Sequence, residues 1–292
     1  MKIYNIGSLN VDYVYQVDHF VKPGETLASN KLQIFPGGKG LNQSIALACA
    51  GVRPIHCALS GTNGAFLLEK MNGSGVDIDR IKTVDYPSGH AIIQVDRTGQ
   101  NSILLYGGTN VMLDMEYVAS VLADAEPNDI LVLQNEINCL KEIMELAAEK
   151  KMRIAFNPSP YAPDILELPL DKVTWWFCNE IEGAALFGGE KEEIISNFLE
   201  KYPQSNLILT LGEAGSVFVN ANKKVEQGIY KVNVVDTTAA GDTFTGFFIA
   251  GVASGASVEN TMEMAAKAAA LTVSRAGASE SIPKYEEVIS FN

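Results

Sequence analysis

Asp236-Thr237-Thr238-Ala239-Ala240-Gly241-Asp242-Thr243-Phe244-Thr245-Gly246 decides how the rest of this chain is read: small residues run into an apolar helical pattern with one carboxylate at its mouth. A helix start leaves backbone N–H groups unpaired at the positive end of its dipole, so residues 239–241 can face an anion while Asp242 stands beside it as a base. Asp at such a place also serves as an ordinary N-cap. Two alanines and a glycine ahead of it, however, keep side chains away from the amides, as close approach of a phosphate requires. The expected chemistry is phosphoryl transfer.

Upstream of this loop, short apolar or β-branched runs at residues 2–6, 130–134, 153–156, 174–178 and 206–211 read as buried strands. Helical periodicity over 140–151, 190–202, 242–253 and 258–275 alternates with them. That alternation predicts an α/β fold whose mostly parallel sheet is covered on both faces, with functional residues at the carboxyl ends of the strands. Residues 12–35 and 88–106 break the rhythm, with strand-like alternation and turn signals at Pro23-Gly24 and Arg97-Thr98-Gly99-Gln100. They are expected either to pair into a small separate sheet serving as a lid or to extend the main sheet as an antiparallel edge.

The 292 residues, 47% hydrophobic and 20% charged, describe an ordinary globular chain with a sizeable core. A net charge of -13 argues against nucleic acid as a partner, since that affinity rests on clustered Lys and Arg. Cys49, Cys57, Cys139 and Cys178 form no Cys-x-x-Cys pair, so buried reduced thiols and a cytoplasmic location are expected. No signal-peptide pattern opens the chain and no apolar run reaches the roughly eighteen residues of a membrane span, so no membrane partner is expected. His19, His56 and His90 lie too far apart, and too far from ligand-spaced partners, to suggest a His-built metal site.

A second glycine cluster, Gly37-Gly38-Lys39-Gly40-Leu41-Asn42, precedes a small-residue helix pattern over 43–50. A phosphate-binding P-loop would need Ser or Thr after Gly-Lys, where Gly40 stands, and the dinucleotide fingerprint would need glycine at Gln43. Beside the first motif the cluster reads instead as a place where backbone approaches a small polar ligand, with Asn42 offering donor and acceptor to a pair of hydroxyls. A sugar or polyol fits. Asn10 and Asp12 follow the first strand, and Gln134-Asn135-Glu136, Asn179-Glu180-Ile181-Glu182 and residues 210–215 follow later ones. Asn179 and Glu182, three apart, would share a helix face and could hold hydrated Mg²⁺ beside phosphates, or could form a capping turn.

Together these motifs resemble the ribokinase (PfkB) family of carbohydrate kinases over nearly the whole chain: residues 37–51 its N-terminal signature, Asn179 to Glu182 its Asn-x-x-Glu element, Asp236 to Gly246 its C-terminal signature. The resemblance implies an αβα sandwich with a small β lid, and pairing of lids into a homodimer. It places Asn10, Asp12, Gly38, Lys39, Asn42, Glu136 and Asp242 on the sugar. It gives the nucleotide Asn179, Thr210, Gly212, Glu213, Gly215, Ala240 and Gly241, and makes Asp242 the base. A K⁺ loop would use Asp236, Thr238, Thr272, Arg275, Gly277 and Ser281, mostly through carbonyls, while Glu182 would hold Mg²⁺ through water.

The implied reaction is transfer of the γ-phosphoryl group of ATP to a primary hydroxyl of a pentose, D-ribose foremost. Rival substrates are fructose, a nucleoside or a keto-deoxy sugar acid, and a rival class is an inactive sugar-binding sensor. Two residues depart from the family pattern: Phe247, where a small residue is usual, and Ala266, where ribokinases commonly place a polar side chain near adenine.

Overall fold

The computed structural model describes residues 1–291. Its main sheet has eight strands in the spatial order Lys223–Gln227, Ser216–Asn220, Asn206–Thr210, Val173–Asn179, Arg153–Asn157, Ile130–Gln134, Ile3–Ile6 and Ile55–Cys57. The strands from Asn206–Thr210 to Ile55–Cys57 run parallel, and the first two close the sheet as an antiparallel edge. The five strands expected from the sequence form within a residue or so of their predicted bounds. Ile55–Cys57 and the antiparallel edge were not foreseen.

Side chains alternate between the two faces of the sheet. Tyr4, Ile6, Leu131, Leu133, Phe156, Trp176 and Leu209 pack beneath helices Leu140–Glu149 and Lys191–Lys201. Ile3, Ile130, Val132, Ala155, Phe177 and Ile208 face helices Lys39–Cys49, Ala240–Ala253 and Val258–Val273. Three buried polar side chains interrupt that second face: Asn5, His56 in register with it on the neighbouring strand, and Gln134. Phe247 is fully buried in the same layer, so the departure from a small residue there is taken up by core packing.

Strand order reverses beside Ile3–Ile6, whose neighbours are Ile55–Cys57 on one side and Ile130–Gln134 on the other. A crevice opens at the carboxyl ends of strands at such a point. The loops that carry Ser8, Asn10 and Glu136 leave the sheet there.

The segments set apart in the sequence form a separate four-stranded sheet, ordered Lys31–Gly37, Asn10–Gln16, Gly89–Val95 and Asn101–Tyr106. Asn10–Gln16 pairs antiparallel with Lys31–Gly37 and parallel with Gly89–Val95. One helix boundary differs instructively from its expectation. The pattern at 43–50 forms a longer helix, Lys39–Cys49, because the chain breaks at Gly38, with φ of 96°, before the helix rather than through the whole glycine cluster. Among the described residues no helix is long and apolar enough to cross a membrane. All four cysteines are free, but only Cys57 and Cys178 are buried; Cys49 and Cys139 are half-buried, since both sit at helix ends near the surface.

Candidate active site

Helix Ala240–Ala253 begins two residues earlier than its periodicity suggested, because Ala239 turns into the left-handed region with φ of 61°. No side chain caps this start. The Ala240 amide reaches the Thr237 carbonyl at 3.3 Å, while the Gly241 and Asp242 amides have no acceptor among the described residues. Asp242 is not an N-cap. It lies in the first turn, buried, with its carboxylate turned across to helix Lys39–Cys49: Asn42 Nδ2 donates to Oδ2 at 3.1 Å and Gln43 Nε2 to Oδ1 at 2.9 Å.

Gly246 makes that reach possible. A Cβ there would lie 2.4 Å from the Ala46 Cβ, so only glycine lets the two helices come this close one turn beyond Asp242. Gly40 does the same against the first strand's exit, where a Cβ would lie 2.4 Å from the Ser8 nitrogen.

The sugar-side candidates gather around this junction. Glu136 Oε2 accepts from the Lys39 amide at 2.9 Å and from the Ser8 hydroxyl. Asn10 Oδ1 accepts from Asn110 Nδ2 at 2.7 Å, and Asn110 Oδ1 accepts from the Leu9 amide at 2.9 Å, which leaves Asn10 Nδ2 turned away from Asn110. The Asp12 carboxylate lies over Gly37, where a Cβ would come within 2.0 Å of Oδ2. Gly38 brings its backbone against Ser8 and Asn10. Among the described residues Asn42 Oδ1 is buried without a partner, an acceptor suited to a ligand hydroxyl.

Charges crowd here. Burial, then the charges of Glu136 and Glu280, push Asp12 up to about 7. Burial also raises Glu136, with Lys39 opposing. The Lys39 ammonium loses hydration by burial, but the carboxylates of Asp242, Glu136 and Glu182 outweigh that loss and hold its proton more tightly than usual.

On the other side of the Ala239 turn, a cavity of about 230 Å³ reaches from Lys39 and Asp242 to Asn179, Glu182 and Thr210. It runs into a cleft of about 640 Å³ that shares Asn179, Thr210, Ala240 and Gly241 with it. Gly212, Glu213 and Gly215 line the floor of this cleft, and Val232, Val234, Ala266, Ala269 and Val273 make apolar walls. A flat heterocycle fits such walls and its phosphates fit the open helix start. With Ala266 in the wall, no polar side chain at that position meets the base.

Asn179 and Glu182 form a reciprocal capping box at the start of helix Glu180–Phe187: Asn179 Oδ1 accepts from the Glu182 amide at 2.8 Å and Glu182 Oε2 from the Asn179 amide at 3.0 Å. The turn itself is exposed at Asn179, Glu180 and Ile181, while Glu182 is buried and lines the cavity. Its second oxygen has no protein donor among the described residues, as suits a cation that keeps most of its water.

The residues assigned to a K⁺ loop are brought together in part. Asp236 accepts from the Thr238 amide at 2.9 Å and from the Gly277 amide at 3.1 Å, which ties the two ends of the loop. The Thr272 and Ser281 hydroxyls are spent inside the protein, on Ala268 and Ala278 carbonyls at 3.0 and 2.7 Å. The Arg275 guanidinium turns out to Glu287 at 2.6 Å.

Sequence reasoning passed over Gln43, Ser8, Asn110, Asn157 and Ser159, all of which touch the site or line it. Gln43 carried a signal, a second amide directly after Asn42 at the mouth of a small-residue helix. Asn110 sits in a short 3₁₀ turn after the small sheet and carried none.

The pfkB family carbohydrate kinase pattern matches residues 2–285. The chain is 34% identical to a ribokinase from Staphylococcus aureus, with 98% of each chain covered. Its fold superposes on a crystal structure of ribokinase from Thermotoga maritima with a TM-score of 0.89 at 35% identity, covering 100% and 99% of the two chains. A ribokinase from Arabidopsis thaliana complexed with ribose and ATP superposes with a TM-score of 0.86 at 28% identity, covering 99% and 98%. With that match spanning both signatures and the strands between them, this chain belongs to the pfkB family of carbohydrate kinases.

Proposed function

We propose that this kinase transfers the γ-phosphoryl group of ATP to the primary hydroxyl of D-ribose, giving ribose 5-phosphate. The observation that carries the reading is the position of Asp242: its carboxylate is gripped by Asn42 and Gln43 from the sugar side, while its own helix start opens into the apolar cleft. A group so placed can accept the proton of the attacking hydroxyl, a contribution of ~10²–10⁴-fold. The Ala239 and Gly241 amides, without acceptors among the described residues, face the transferring group in this reading, with the Ala240 amide drawn to the Thr237 carbonyl, and fixed donors act most strongly once water is excluded.

Asn10, Asp12, Gly38, Lys39, Asn42 and Glu136 hold the sugar in this reading, and Asn179, Thr210, Gly212, Glu213 and Gly215 hold the nucleotide. Glu182 orients the water shell of Mg²⁺, which when bound neutralises phosphate charge. Carbonyls of the loop around Asp236, Thr238, Thr272, Arg275, Gly277 and Ser281 take K⁺ and steady the helix start. The four-stranded sheet closes over the sugar as a lid. Its edge strand Asn101–Tyr106 is exposed along its whole length, and Ile103, Leu104 and Leu105 there, with Leu32 and Ile34 on the opposite edge strand, leave apolar side chains suited to pairing with a second copy. Four free cysteines fit a cytoplasmic protein.

The test is a panel of ribose, fructose, nucleosides and sugar acids with coupled ADP detection, run with and without K⁺. Ribose should give the highest kcat/KM and K⁺ should raise it. A nucleoside or fructose preferred over ribose removes the pentose assignment, and sugar binding with no ADP from any acceptor makes the chain a sensor.

A further inference from the structure

We propose that Gln43 is a positioning residue for Asp242, oriented in turn by a buried seam of amides that crosses the sheet through Gln134 to Asn5. The inference rests on the role given to Asp242 above. Asn42 alone binds one carboxylate oxygen at 3.1 Å and leaves the group free to swing about its Cβ–Cγ bond; Gln43, bound to the other oxygen at 2.9 Å, fixes its plane.

An ionised carboxylate only accepts, so Gln43 must turn Nε2 to Asp242 and Oε1 away from it. That oxygen accepts from Gln134 Nε2 at 2.7 Å, and the same Nε2 lies 3.1 Å from Asn5 Oδ1. Asn5 Nδ2 then donates to the Gly40 carbonyl at 2.9 Å and to Ser44 Oγ at 2.8 Å. The Gly40 carbonyl also only accepts. The polarity of every amide is thus set from both ends, and flipping any one of them would put oxygen against oxygen.

The seam is costly for a structural element. Gln134 Oε1 stays buried without a partner among the described residues, and Gly7 leaves it room, since a Cβ there would lie 2.4 Å away. Apolar side chains of similar shape would satisfy packing with no orphaned oxygen. Holding Asp242 is the work that explains a chain of amides in this largely apolar layer.

The test measures kcat, KM for ribose with Mg-ATP, and ribose binding by calorimetry for Gln43→Met in the wild-type and Asp242→Asn backgrounds. Gln43→Met should lower kcat about 10- to 100-fold, as slight misplacement of a catalytic group does, with ribose affinity within about twofold of wild type. In the Asp242→Asn background the same change should cost no further turnover. Gln134→Leu should lower kcat less and spare affinity likewise. An unchanged kcat overturns the proposal, as does an equal loss in both backgrounds, which would mark a purely structural role. Should Gln43→Met lose its cooperative melt, Gln134→Leu carries the same comparison with the same two outcomes. Turnover retained in Asp242→Asn itself overturns the role of Asp242 and this proposal together, whereas collapse there with Gln43→Met unaffected overturns this proposal alone.

Discussion

Asn42 and Asp242, 200 residues apart in the chain, meet at 3.1 Å on facing helices. One residue therefore touches both the glycine loop it follows and the buried Asp242 carboxylate. Asn42→Ala should weaken ribose binding by ~1–3 kcal/mol, because hydroxyls that met its amide lose their partner. Calorimetry checks this, and equal affinity would put the sugar elsewhere.

Asp242→Asn keeps the shape of the side chain and a donor for neighbouring hydroxyls but removes the base. Turnover should fall at least about a hundredfold with ribose still bound. Single-turnover kinetics beside calorimetry separates the two quantities, and unchanged turnover would take Asp242 out of the chemistry.

The close approach of the two helices rests on Gly246. Gly246→Ala would drive a methyl into Ala46 and should cost about 1–3 kcal/mol of stability, as overpacking does, while prising Asn42 and Gln43 from Asp242. Ala46→Gly in the same chain should restore much of both losses. Denaturant unfolding and kcat on the single and double variants decide it; a stable, fully active Gly246→Ala would show that the helices slide freely.

Asp12 gives a pH dependence with a definite sign. Its acid form is favoured by folding, which lifts it from the ordinary aspartate value of 3.8 up to about 7, so the folded chain binds the proton more tightly than the unfolded chain. Stability from this group is greatest below about 4 and is lost as pH rises to about 7. Asp12→Asn should therefore stabilise the ligand-free protein at pH 8 by about 1–3 kcal/mol, the lower end because solvent reaches this half-buried carboxylate, and should gain little near pH 4. Unfolding curves of both proteins at the two pH values measure the difference.

The exposed strand Asn101–Tyr106 supplies a test of assembly. Leu104→Glu, at 66% exposure, should leave the fold intact and, by light scattering, convert a dimer to a monomer. A wild-type monomer would remove the dimer reading outright.

Strands that run buried through the sheet were legible because continuous apolar runs have no other use in a chain this size. Ile55–Cys57 was not, since three residues carry no period; nor was the antiparallel edge, where Lys223–Gln227 is largely exposed and polar and the buried Ser216–Asn220 was passed over as a short run after a glycine turn. The glycine loop showed where backbone comes close but hid where its helix begins, because φ at Gly38 decides that and composition does not. Within the site, the sequence named Asn42 and Asp242 but not Gln43, although it lies inside the same signature as Asn42. Asn110 and Gln134 work only through contacts between distant segments, and no local pattern announces such contacts.

Ile3–Ile6 lies inside the sheet rather than at its edge, flanked by strands made later, and the carboxylate that meets Asn42 and Gln43 arrives only at position 242. A chain stopped short of that position carries the glycine cluster and the sequence of every strand, yet lacks the group to which Asn42 and Gln43 donate.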